Sequence, residues 1–178
     1  MYQSNRAIRL ALLWLLMLLA TGCTAVPEGL QPVKDFKLQQ YLGKWYEIAR
    51  LDHSFERNLE QVSAQYSLRE DGGVAVLNRG FNVKTGRWEE ADGKAYFVAA
   101  EDVGHLKVSF FGPFYNSYVV FELELQNYQY ALVCGPNRDY LWLLSRQPHI
   151  DQQLQQQLLA RMAEAGFATD ALLWVNQR

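Results

Sequence analysis

Two cysteines, Cys23 and Cys134, are the nucleophilic thiols of this 178-residue chain, and their neighbours point to different chemistry. Cys23 ends the run Ala20-Thr21-Gly22-Cys23, small residues leading directly into a thiol. A signal peptidase requires small side chains at the bond it cuts, and a thiol at that point can take up a diacylglycerol. Cys134 sits in Ala131-Leu132-Val133-Cys134-Gly135, an apolar setting in which a cysteine behaves as a small hydrophobe. To act as a nucleophile it would need a base or a cation beside it. His53, His105 and His149 all fall at the ends of apolar runs or between them, and nothing in the pattern brings one to Cys134. No metal-ligand spacing, nucleophile elbow or phosphate loop is present, so neither metal nor cofactor is expected. A net charge of −2 leaves no basic footprint for nucleic acid. The expectation is anchoring and binding rather than catalysis, with an enzyme using Cys134 as its nucleophile as the alternative. With Cys23 acylated, Cys134 has no disulfide partner, and the domain must be held by burial and hydrogen bonding.

The residues before Cys23 agree with export. Arg6 and Arg9 precede an apolar run from Leu10 to Ala20, and no acid occurs before Glu28. That is a charged segment followed by the apolar core of a signal peptide. The run is too short to span a bilayer, which takes about 20 apolar residues. The stretch resembles the bacterial lipobox, departing from it in having Ala20 where Leu is usual. Thr24, rather than Asp, follows the cysteine, which by resemblance to lipoprotein sorting implies the outer membrane. The expected division is a leader over 1–22, a lipidated cysteine and tether over 23–37, and one domain over 38–178. The tether has two prolines, a glycine and mixed charge, and would hold the domain off the bilayer as a stiff spacer.

The domain must be largely β. Runs rich in aromatic and β-branched residues cover 45–53, 61–69, 73–82, 87–100, 104–111, 118–125, 128–134 and 139–145. Turn signals separate them: Asp71-Gly72-Gly73, Thr85-Gly86, Gly104, Gly112-Pro113, Gln126-Asn127 and Gly135-Pro136-Asn137. Eight runs joined by short turns predict an antiparallel meander, which can abolish its edges by closing into a barrel. Over 151–166, Leu154, Leu158, Leu159 and Met162 form one apolar stripe, with Asp151 placed to cap the start and Gly166 the end. A helix with one such stripe packs on the outside of the barrel. Leu172–Val175 supplies a short closing strand.

Alternation then selects the side chains that face inward. Leu106, Val108 and Phe110 share a face, as do Tyr140, Trp142 and Leu144, and Val62, Ala64, Tyr66 and Leu68. An eight-stranded barrel is just wide enough to be filled by side chains or to hold one small ligand. The small residues Ala64, Ala95 and Ala99 suggest that space has been left, and apolar walls suit an acyl chain. The candidate ligand contacts are Phe55, Tyr66, Asn78, Val108, Phe110, Tyr118, Trp142 and Leu144. Asn78 either hydrogen-bonds a ligand head group or is satisfied by backbone. Glu122 shares the parity of Tyr118, so it faces inward if Tyr118 does; the opposite register puts Val119, Phe121 and Leu123 inside. The aromatic segment Phe111–Asn116 and Phe55 stand at loops that could gate a cavity, touch a bilayer or pair two barrels.

Gly43-Lys44-Trp45-Tyr46 resembles the G-x-W-Y signature of the lipocalin family, and Arg146 after the eighth run matches that family's basic residue. The resemblance covers 36–176 and is strongest to bacterial outer-membrane lipocalins. It implies an all-β fold: an eight-stranded antiparallel up-and-down barrel with one C-terminal α-helix packed outside. It further implies that Trp45 plugs the closed end with Arg146 stacked over it, a cation–π contact of about 1–2 kcal/mol when desolvated. The function it implies is binding of fatty acids or lysophospholipids, storing or transporting them for membrane maintenance under stress. The protein would be lipid-anchored to the outer membrane and periplasm-facing, in some members as a homodimer. A structural envelope protein with a filled barrel is the remaining alternative.

Overall fold

The computed structural model describes residues 24–178; Cys23, with the acylation expected on it, and the leader lie outside the described residues. A short helix, α1 (Leu38–Tyr41), leads into β1 (Gly43–Leu51), β2 (Leu59–Leu68), β3 (Val74–Asn82), β4 (Arg87–Phe97) and β5 (His105–Ser109). The chain continues through β6 (Asn116–Leu123), β7 (Tyr130–Cys134), β8 (Leu141–Ser145), α2 (Gln152–Glu164), a 3-10 turn at Thr169–Ala171 and β9 (Leu172–Trp174). Each strand from β1 to β8 pairs antiparallel with the next, and β1 pairs with both β2 and β8. That closes the meander into an eight-stranded barrel, with β9 added beside β1.

Closure is shared along β1. Its first residues, Gly43 to Tyr46, pair with β2, while Ala49 to Leu51 pair with β9. Between these stretches β1 and β2 part, and the C-terminal tail fills the gap. The Gln177 side-chain amide donates to the carbonyls of Glu47 at 2.7 Å and Val62 at 2.8 Å, and Gln61 N donates to Asn176 O. A buried carbonyl left unpaired is costly, and one amide satisfies two of them.

Two apolar layers result. The inner one contains Trp45, Ala64, Tyr66, Val76, Ala95, Leu106 and Val133. The outer one lies between the wall and α2 and contains Ile48, Val119, Leu132, Cys134, Leu143, Leu158 and Met162. Asp151 Oδ1 accepts from Leu154 N at 2.8 Å and caps α2, and Gly166 has φ +81° just past the helix end.

Three expectations change. Residues 24–37 are not a free spacer: Val33 N donates to Val120 O, Gly104 N to Val33 O, and Phe36 N to Asp102 O, each within 2.9 Å. Leu30 and Phe36 are buried and Val26 is half-buried, and that burial holds the segment on the barrel. Ala99 lies beyond the end of β4 and is exposed, so it opens no space inside. Glu122 does not follow Tyr118, because a bulge between Val120 and Glu122 shifts the phase of β6. Val120 and Leu123 face in opposite Val133 and Ala131. Glu122 pairs with outward-facing Leu132, and Val119 and Phe121 pack beneath α2.

Candidate ligand-binding cavity

The closed end is built from residues whose polar atoms are paired. Trp45 is fully buried, its indole Nε1 donating to Tyr41 O at 2.8 Å and its ring lying 4.8 Å from that of Tyr41. The Arg146 guanidinium carbon sits 3.9 Å from the Trp45 ring centroid. Its nitrogens donate to the carbonyls of Gln40 at 2.6 Å, Lys44 at 2.8 Å and Tyr128 at 3.2 Å, tying α1, β1 and the β6–β7 turn together.

Above this plug lie three tyrosines. Tyr118 Oη shares hydrogen bonds with Tyr41 Oη at 2.7 Å and Tyr66 Oη at 2.8 Å. Burial raises all three phenols well above their ordinary range, so they stay protonated. Three hydroxyl hydrogens serve two bonds, which leaves one to donate elsewhere.

From this floor a cavity of about 500 Å³ rises to the open end, walled by Ala64, Val74, Val76, Ala95, Leu106, Val108, Phe110, Trp142 and Leu144. All eight residues singled out from alternation and loop position line it: Phe55, Tyr66, Asn78, Val108, Phe110, Tyr118, Trp142 and Leu144. Asn78 Oδ1 is buried there without a hydrogen-bond partner. The mouth is formed by the loops 52–58, 110–115 and 135–140 and the β3–β4 turn. Phe55, Phe111 and Phe114 stand exposed on it at 59%, 81% and 76%.

Alternation missed a charged cluster under the 52–58 loop. Glu47, Arg50, His53 and Glu56 are all buried. Arg50 Nη1 donates to Glu47 Oε1 at 2.6 Å, and Nη2 to the carbonyls of Glu56 at 2.8 Å and Leu59 at 3.2 Å. Glu56 Oε2 accepts from Trp142 Nε1 at 3.0 Å. His53 Nε2 is also 3.0 Å from Glu56 Oε2, an ion-pair distance with alignment short of a hydrogen bond. The Phe55 ring stacks on His53 at 4.0 Å between centroids. Burial, helped by the nearby Glu56 charge, pushes Glu47 well above the usual carboxylate range although Arg50 opposes it. Burial pushes Glu56 the same way, but His53, Trp142 and Arg50 outweigh it and its pKa is lowered. The two neighbouring carboxyls are therefore pushed in opposite directions, Glu47 up and Glu56 down. A signal for this was present: Glu47 has the parity of inward-facing Trp45 in the first run.

Cys134 is not in the cavity. It lies in the outer layer, its thiol donating to Gly135 O at 3.3 Å and Asn137 O at 3.4 Å, and burial pushes its pKa up to about 12. That removes the geometry on which Cys134 as an active-site nucleophile depends.

Residues 36–177 match the family model described as a lipocalin-like domain. The chain belongs to the lipocalin family. This lipocalin is 55% identical over 171 residues to an outer membrane lipoprotein, Blc, of Vibrio cholerae, covering 96% of this chain and 100% of that one. It is 32% identical over 126 residues to bovine apolipoprotein D, covering 67% and 66% of the two chains. Insecticyanin from the tobacco hornworm shares its fold with a TM-score of 0.66 at 18% identity, over 85% of this chain and 86% of that one.

Proposed function

We propose that this lipocalin is an outer-membrane lipoprotein that holds a single-chain amphiphile, a fatty acid or lysophospholipid, and stores or carries it for membrane maintenance under stress. The observation that carries this reading is the cavity: apolar along its walls, open at one end, and within the range of small-molecule sites. The acyl chain would lie against Val76, Val108 and Leu144, each buried CH₂ contributing about 0.8 kcal/mol. The unpartnered Asn78 Oδ1, with the spare tyrosine hydrogen on the floor, supplies polar groups for a carboxyl, hydroxyl or ester.

Anchoring rests on the sequence around Cys23 and on the kinship with a named outer membrane lipoprotein. Residues 1–22 are then the cleaved leader, Cys23 carries the lipid, and the barrel faces the periplasm. The same reading includes pairing of two copies, which sedimentation of the purified protein tests. An open cavity favours a carrier over a filled structural barrel, and no catalytic step is assigned.

Trp142 fluorescence gives the test, because its ring lines the cavity and its N–H is engaged by Glu56. Titration with oleate or a lysophospholipid is expected to change the emission of the parent protein and to leave Trp142→Phe nearly silent. No response in the parent, or an identical response in both, refutes the cavity assignment. Native mass spectrometry after mild extraction would identify a co-purifying lipid and its head group.

A further inference from the structure

The described chain does not start on a flexible arm. The Thr24 carbonyl accepts from His105 Nε2 at 2.9 Å, and that nitrogen lies 3.0 Å from Ser117 Oγ. His105 and Ser117 belong to the two strands of the β5–β6 hairpin, where Lys107 pairs with Ser117 and Val108 with Asn116. Thr24 is covalently next to Cys23, so a lipid on that cysteine starts one residue from a point fixed to this hairpin.

The tip of the same hairpin carries Phe111 and Phe114, the most exposed of the large apolar side chains described. Only Tyr115 and Asn116 separate Phe114 from Ser117, so their Cα atoms lie within about 11 Å. Two membrane-seeking features thus share one narrow flank. The charges agree: Lys107, on the outer face of β5, leans over the Tyr115 ring at 5.3 Å. The neighbouring β3–β4 hairpin exposes Lys84 and Arg87 but balances them with Glu89 and Glu90, and its apolar side chains Val83 and Trp88 are less exposed than Phe111 and Phe114. A cation beside aromatic rings suits the phosphate level of a bilayer, where each basic residue contributes about 1 kcal/mol on an anionic surface.

From this placement we propose that the β5–β6 hairpin docks on the bilayer, Phe111 and Phe114 entering the interface and the barrel tilting so that this side of its mouth rests on lipid. The occupant is a phospholipid surface. The proposal rests on the lipoprotein reading above and adds a route to it: an amphiphile passes from the leaflet across the phenylalanine rim into the cavity without crossing free water. Taking a chain through water exposes apolar surface at about 25 cal/mol per Å², and a docked mouth avoids that barrier.

The experiment uses the full lipidated protein bound to vesicles of phosphatidylethanolamine and phosphatidylglycerol. Cys134 is buried and unreactive, so Phe114→Cys and Lys84→Cys each present an added accessible thiol for the polarity-sensitive dye NBD. The expected result is blue-shifted NBD emission at 114, quenched by brominated lipid, and unshifted emission at 84 on the β3–β4 turn. Equal signals at both sites, or none at 114, overturn the docking geometry. In a second measurement, a pyrene-labelled fatty acid is passed from vesicles to the protein. Phe111→Ser/Phe114→Ser is expected to slow transfer about tenfold, the weight of two partly buried rings, and to slow it by more than it weakens equilibrium binding. Unchanged transfer overturns the route. Loss of binding in the parent protein overturns the carrier reading instead, and the NBD measurement still decides the docking. If sedimentation shows a dimer that the double variant abolishes, with NBD at 114 insensitive to brominated lipid, the rim is an interface between copies and the bilayer is not its partner.

Discussion

The two ends of this barrel differ in how completely their chemistry is satisfied. At the closed end the Trp45 N–H and the donors of Arg146 meet protein acceptors, and the large rings are buried. Toward the open end, phenylalanines face solvent, the Asn78 side-chain oxygen in the wall has no partner, and a buried set of charges lies beneath one loop. Saturation contributes stability, because nothing is left for a ligand to add. Incompleteness does the reverse: it costs about 1–3 kcal/mol for each orphaned polar atom and leaves those atoms to be paired by something else. One end is a plug, the other an open cavity.

Substitutions can test that division. The largest effect is expected at the plug, where Trp45→Ala removes a fully buried ring and the surface on which Arg146 stacks. The cost should be about 3–5 kcal/mol, read as a fall of roughly 10 °C in Tm. Phe111→Ser/Phe114→Ser at the rim should stay within about 0.5 kcal/mol of the parent. If the two melt alike, the contrast between the ends is wrong. Next comes Glu56→Ala, which leaves the Trp142 N–H and His53 unpartnered at a cost of about 2 kcal/mol. Hydrogen exchange should rise across 52–58 and not at the plug.

The pH dependence should follow the same line. The pKa of Glu56 is lowered on folding, so its contribution is complete above the unfolded value of about 4.3 and is lost as pH falls through the lower folded value. Glu47 shifts the opposite way, favouring the fold at low pH and weakening it as pH rises through its raised value. Acidification below about pH 4 is therefore expected to loosen the 52–58 loop before the barrel melts. Simultaneous loss would show that the cluster is part of the plug. A smaller effect is expected for Asn78→Leu, which removes an orphaned oxygen. Stability should hold or rise by up to about 1 kcal/mol, while lysophospholipid affinity falls about tenfold. Least change of all is expected for Cys134 in the native protein. With its thiol pushed up to about 12, iodoacetamide should modify it only as fast as the protein unfolds.

Much of this was legible in the chain because it is local. Turn residues between alternating runs marked the strands, Asp151 and Gly166 bounded α2, and inward parity pointed to Val108, Trp142 and Leu144. What alternation could not supply was phase across a defect. One bulge at Val120/Glu122 reverses the facing of every residue after it in β6, and only the pairing with β7 reveals it. The fate of residues 24–37 was hidden for a similar reason. Prolines and mixed charge read as a spacer, but Val26, Leu30 and Phe36 find apolar surface that exists only once the barrel has closed.

The clusters that make the cavity chemically distinctive are farther still from being local. Tyr41 and Tyr118 are 77 residues apart, and Glu56 and Trp142 are 86 apart, yet each pair is within 3.0 Å. By itself the sequence determined the strands and the helix, since backbone propensity, turn geometry and side-chain periodicity act over a few residues. Only the tertiary structure decided which hydroxyls meet, which buried carboxyl is pushed up and which down, and that Thr24 is held against the β5–β6 hairpin. Burial and hydrogen-bond partnership belong to surfaces that do not exist until distant strands are brought together.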